Sequence, residues 1–172
     1  MRSQLFLIPA ALVVSVSAPT VAAHYLTLDE AQGLMFPGVT LEPRFVTLTE
    51  GQAKALAAQA QAPVHGYQVK AWQASNGGWF ILDQVEGKGD LITYAVALNR
   101  EGVVQSIEIL ECVPDYNTVR MPEWRAQFVG QVAGEKRRIA NISGSTLSAQ
   151  HIAEGVRRVL ATHALVLKPR SV

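Results

Sequence analysis

The chain has 172 residues, 49% of them apolar, a formal net charge of +1 and a single cysteine. That is enough apolar material for one domain with a real core. The nearly balanced charge leaves no electrostatic footprint for nucleic acid or an anionic membrane surface. Cys112 has no partner for an internal disulfide, and no Cys-x-x-Cys-His is present for a c-type haem.

Residues 1–23 read as an export signal. Arg2 supplies the positive start, residues 5–16 the apolar stretch, and Val21-Ala22-Ala23 the small residues of a cleavage site. The apolar stretch is short for a membrane span, so His24 is expected to open a mature domain over residues 24–172 in the periplasm. An uncleaved anchor holding the domain at the membrane is the alternative.

Thr27-Leu28-Asp29-Glu30 has the pattern of a capping box and predicts a helix to Met35, stopped by Pro37-Gly38. Thr47-Leu48-Thr49-Glu50 repeats the device and opens an Ala/Gln-rich helix to about Gln61, closed by Pro63. The period then changes to two. Tyr67, Val69 and Ala71 alternate with Gln68 and Lys70, as in a half-buried strand. Asn76-Gly77-Gly78 marks a turn, residues 79–85 a second strand, Glu86 to Asp90 another turn and residues 91–98 a third strand. After the loop Asn99–Gly102, residues 103–112 form a fourth strand, with Ile107 and Ile109 on one face and Ser106 and Glu108 on the other. Loops this short make the strands antiparallel neighbours. Cys112, ending that strand, reads as a buried structural thiol.

Two more helices are expected. One covers residues 123–132 and is followed by Lys136-Arg137-Arg138 in a solvated loop; the other starts near Leu147. Ile152, Val156, Val159, Leu160 and His163 recur on the last helix at spacings of three and four, which makes one face apolar. Glu154 and Arg158, four residues apart, are expected to pair on its wet face. The fold class is therefore α+β: a single domain with an antiparallel meander sheet flanked by helices.

Few chemical motifs survive inspection. Gly87-Lys88-Gly89 fails as a P-loop, because Leu82 stands where a glycine is needed and no hydroxyl residue follows the lysine. It reads as a hairpin turn. There is no Gly-x-Ser-x-Gly elbow and no His-Glu-x-x-His, and no acid, base or nucleophile constellation points to a substrate-specific enzyme. A mature N-terminal His24 could bind copper with a further ligand from His65, His151 or His163; an ordinary processed end is the plainer reading. Tyr67, Trp72, Trp79, Tyr94, Tyr116 and Trp124 are either stacking surfaces for an aromatic cofactor or normal core residues.

The segment Ile142-Ser143-Gly144-Ser145-Thr146-Leu147-Ser148 carries more information. It places hydroxyls and a glycine just ahead of a helix, where unpaired amides and the helix dipole favour an anion. Its plain reading is a helix cap, with Ser145 or Thr146 capping and Gly144 allowing the turn. The segment also closely resembles the Ser-Gly-Ala-Thr flavin-attachment motif of the FMN-binding domain family. Other pieces resemble that family in the same order. They are the opening His24 to Gln32 with its Phe36-Pro37 stop, the hairpins Glu86–Val96 and Arg100–Leu110, Pro122–Gly130, and Gly155–Leu160. Two positions and one stretch depart from its pattern. Ala140 stands where an Asp is usual, Ser145 replaces an Ala, and the family's glycine-rich stretch against the flavin appears only as Asp115–Arg120.

The resemblance implies that Thr146 carries FMN through a phosphoester, with Ser143, Gly144, Ser145 and Ser148 around the phosphate. It further implies a flavin ring lying over the sheet against Tyr116, Trp124 and Tyr94. Thr146 is then an attachment point, loaded by a separate flavin transferase outside the cytoplasm. The implied role is an exported flavoprotein that passes electrons between membrane electron-transfer proteins. The alternative is a flavin-free binding module that keeps the fold.

Overall fold

The computed structural model describes residues 23–87, 90–112 and 118–168. Of the expected export signal only Ala23 is among them. The four period-two segments form the expected meander: β4 (Gln68–Ala74), β5 (Trp79–Glu86), β6 (Leu91–Leu98) and β7 (Val104–Cys112). β5 and β6 pair in unbroken register from Trp79↔Leu98 to Glu86↔Leu91, whereas the β6–β7 ladder shifts register at Thr93/Tyr94 and again at Ala97/Leu98. Such irregularities bend and twist a strand.

Three short strands extend the sheet: β1 (Ala23–His24), β2 (Leu41–Pro43) and β3 (Val46–Thr47). The sheet order is β1-β7-β6-β5-β4-β2, with β3 also on β4, and all pairs are antiparallel. Two or three residues are too few to show a period, so these strands left no trace in the sequence pattern. The outer edge of β7 is closed by other means as well. Gly130 N–H donates to the Val104 carbonyl, Val104 N–H donates to Gln131, and Arg125 donates to the Ile107 carbonyl while pairing with Glu108. An edge covered in this way offers no free ladder to another chain.

The sheet is buried on both faces. Ile81, Val85, Ile92, Tyr94, Val96, Ile107 and Ile109 pack under α4 (Thr146–Thr162) with Trp124 and Phe128. Trp72, Phe80, Ala95, Ala97 and Leu110 pack on the opposite side with Ala31 and Phe36 around α1 (Leu28–Met35). Every residue from Ile92 to Leu98 is buried, and a strand covered on both sides has no need to alternate. The third helix in contact, α2 (Glu50–Ala60), seals the far end of α4 through Leu56, Ala60 and Ala161.

The capping box of α1 forms as expected, with Thr27 and Glu30 satisfying each other's backbone N–H groups. That of α2 falls two residues later than expected, on Thr49 and Gln52. Thr47 is committed to β3, opposite Gln68. The helix expected over residues 123–132 is also shorter. Here α3 spans Pro122–Arg125, a 3-10 turn covers Ala126–Phe128, and the chain then turns at Gly130 (φ +82°) to bond β7. The basic triplet is not uniformly solvated either. Lys136 and Arg138 are exposed, but Arg137 pairs with Glu135 and donates to the carbonyls of Gln127 and Val129.

The largest correction concerns α4. Arg158 is buried and ion-paired with Asp83 on β5 at 2.7 Å, and the Glu154 pairing on a wet face does not form. Tyr94 donates to the same Asp83 oxygen at 2.7 Å, and Arg158 also donates to the carbonyls of Pro63 and Gln84. Burial first, and the Asp83 charge second, push the Tyr94 phenol well above its usual value of 10.0.

α4 runs on into a π turn over His163–Leu167. His163 is 3% exposed, edge-on to Trp79 with ring centroids 6.0 Å apart, and its Nε2 has no partner. Burial, and then Lys168, lower its pKa from 6.5, so the unfolded chain takes up the proton first. Stability is therefore complete above pH 6.5 and falls as the pH drops below that value. Denaturant melts between pH 5 and 8 check this: His163→Gln should flatten that part of the profile.

Candidate functional site

The approach to α4 has no regular structure from residue 135 to 142, so side chains must fix it. Trp124 Nε1–H donates to the Ala140 carbonyl at 2.9 Å, and Gln127 Oε1 accepts from the Ala140 N–H at 2.8 Å. Both polar atoms of one peptide residue are thus held by α3 and the turn after it. Ser143-Gly144 then reverses the chain, with Gly144 at φ +84°, a region that favours glycine. Ser145 N–H closes the turn on the Ile142 carbonyl at 3.1 Å, and α4 begins at Thr146.

The plain reading, a side-chain cap, is not what the structure contains. Ser145 occupies the cap position, but its side chain makes no capping bond, and no acidic residue lies in the first turn. Its hydroxyl is buried, 4% exposed, and accepts a hydrogen bond from the Thr118 hydroxyl at 2.6 Å. Ser148, one turn on, is 1% exposed and its hydroxyl has no partner. Thr146 is exposed, with only a 3.3 Å bond to the Ile142 carbonyl, and Ser143 and Gly144 are exposed beside it. The positive end of a 17-residue helix is therefore left without a cap or a carboxylate, with an unpaired buried hydroxyl in its first turn.

These features fit a phosphate monoester or diester. The donors are helix amides and hydroxyls, the dipole has the right sign, and the first turn of α4 holds no carboxylate. Thr118, which the sequence reading missed, belongs to this cluster. It lies 27 residues from Ser145 in the chain, and nothing in local pattern joins the two.

The aromatic residues expected to face a flavin ring stand elsewhere. Tyr94 is fully buried, with its hydroxyl against α4 where Gly155 leaves room. Trp124 is 5% exposed and packs edge-on against Phe128 at 5.1 Å. Both rings are core, and Trp124 reaches the loop ahead of α4 through its N–H rather than its face. Tyr116 lies outside the described residues.

A cleft of about 300 Å³ opens elsewhere, between residues 64–66, the outer ends of β4 and β5, and Arg158. Arg158, the α4 residue that lines it, stands roughly 18 Å along that helix from Thr146, given about 1.5 Å of rise per residue. His151 and Glu154 line a smaller extension of it. Among the described residues no group of three His, Cys, Asp or Glu side chains is placed to hold a metal ion. His24, considered for copper, sits 3.2 Å from Glu111 instead.

Residues 87–161 match the FMN-binding domain family. No curated protein matches the chain. The matched span contains β6, β7, the Trp124 helix, the approach loop and all but the last residue of α4. Over these residues the chain is similar to an FMN-binding domain, and FMN is the cofactor such a domain takes.

Proposed function

We propose that this protein is an exported flavoprotein electron carrier that holds FMN by a phosphoester at Thr146. One observation carries the reading: the uncapped start of α4 holds an exposed Thr146 two residues before an unpaired buried Ser148, within the matched span. Amides of the first turn and the helix dipole stabilise the remaining negative charge of the ester. Ser143 and Gly144 leave the approach open, and the Trp124 and Gln127 bonds to Ala140 hold the loop in place.

Bound FMN supplies reversible redox chemistry; the chain supplies position, charge compensation and solvent access. A covalent link suits a compartment where lost cofactor is not readily replaced. Loading would come from a flavin transferase and electrons from membrane electron-transfer proteins. The apolar stretch at residues 5–16 supports export to the periplasm. Among the described residues no helix is long and apolar enough to cross a membrane.

The test is the mass and colour of native protein after denaturation. Wild-type protein should be yellow and carry one FMN on the peptide containing Thr146, and Thr146→Ala should lose all covalently retained flavin with an unchanged melting temperature. Flavin still attached to the alanine variant overturns this site. Colourless wild-type protein of unmodified mass would identify a flavin-free binding module instead.

A further inference from the structure

Two hydroxyls, Ser145 and Thr146, stand side by side at the start of α4, and their intrinsic reactivities are nearly equal. The less hindered one is Ser145. We propose that Thr118 is a specificity-determining residue: by holding the Ser145 hydroxyl in the interior it directs flavin attachment to Thr146. This rests on the phosphoester reading above.

The geometry separates the two hydroxyls. Ser145 is 4% exposed, with its oxygen 2.6 Å from the Thr118 hydroxyl, while Thr146 is exposed. The Ser145 backbone is fixed at both ends, its N–H on Ile142 and its carbonyl accepting from Ala149 at 3.0 Å. Only rotation about its Cα–Cβ bond can bring the oxygen outward. Thr118 opposes that rotation, because it makes the inward rotamer a satisfied one. Without that donor the buried hydroxyl loses this bond, and buried polar groups without partners are strongly disfavoured. The hydroxyl then turns to water, where it competes with Thr146. Thr118 itself is placed by the turn over residues 118–120, ahead of α3.

Attachment is a phosphoryl transfer with no change of oxidation state. A hydroxyl oxygen of the chain forms a bond to the flavin-side phosphorus of a flavin-bearing pyrophosphate, the co-reactant. The bond from that phosphorus to the bridging oxygen breaks, and a nucleoside monophosphate leaves with the electron pair. The hydroxyl proton passes to a base on the transferase. A buried Ser145 oxygen is screened from that phosphorus, and the exposed Thr146 oxygen is not.

The experiment locates FMN by peptide fragmentation mass spectrometry on protein exported from a host that flavinylates it. Wild-type protein should carry FMN on Thr146 with Ser145 bare, and Thr146→Ala should be bare throughout. Adding Thr118→Ala to Thr146→Ala should restore an adduct on Ser145, at least about tenfold above the single variant, the scale set by one unsatisfied buried hydroxyl. Thr118→Ser keeps the donor and should leave Ser145 bare. If the alanine double variant does not fold, Thr118→Val, which keeps the shape without the donor, is held to the same result. A folded double variant with Ser145 bare, on the background of a loaded wild type, overturns the role of Thr118 alone. Wild-type protein bare at every hydroxyl overturns the attachment reading, and this role with it.

Discussion

Asp83→Ala is expected to lower stability by about 3–5 kcal/mol, the usual cost of removing one partner from a buried ion pair. For a chain of this size that is a fall in melting temperature of about 10–15 °C. The reason lies in what the carboxylate holds. Its Oδ2 accepts from Tyr94 at 2.7 Å and from Arg158 at 2.7 and 3.2 Å, and the Arg158 side chain is only 9% exposed. Removing the carboxylate leaves a guanidinium charge and a phenol hydroxyl without their main acceptor beneath α4. Replacing both partners with apolar residues, as in Asp83→Leu with Arg158→Met, should cost less than either single change, because no charge is then left alone. Urea melts of the two single variants and the double variant measure this; a double variant at the sum of the singles would show that the pair does not act as a unit.

The second large effect is expected at Gly155. A Cβ there would lie 2.1 Å from the Tyr94 hydroxyl oxygen and 2.9 Å from a Val85 methyl. The phenol oxygen sits at the end of a stiff ring that is wholly buried and tied to Asp83, so neither side yields easily. Gly155→Ala should destabilise by about 1–3 kcal/mol through overpacking, despite the gain in helix propensity. Tyr94→Phe removes the clashing atom, and combining it with Gly155→Ala should restore part of the loss. Thermal melts of the four proteins decide the matter, and equal losses with and without Tyr94→Phe would place the strain elsewhere. Both predictions concern how α4 is seated on the sheet, and that seating sets where its N-terminal turn points.

The site was legible in outline. Hydroxyls around a glycine, followed by an apolar stripe at spacings of three and four, located the hydroxyl-rich turn and the start of α4 to within one residue. What that pattern left open was which hydroxyl faces out. Ser145 and Ser148 turn inward and Thr146 outward because of the helix's rotation against β5 and the bond from Thr118 to Ser145, both set by residues distant in sequence. The aromatic residues mislead for a similar reason. Tyr94 and Trp124 have amphipathic side chains that suit a stacking surface or a core equally well, and only the layer above them decides. With α4 laid over the sheet, they are core.

By itself, the sequence determined the meander, the capped first helix and the hydroxyl-rich turn, because each is written in neighbours within about a helical turn or a strand's length. The tertiary structure decided the rest. It gave Arg158 to Asp83 across 75 residues rather than to Glu154 across four. It also drew residues 130–131 onto the edge of β7 and ended the Trp124 helix early. Burial is the common cause. A charge, a hydroxyl or a backbone group taken out of water must find a partner wherever the fold brings one, and distance along the chain does not limit that search.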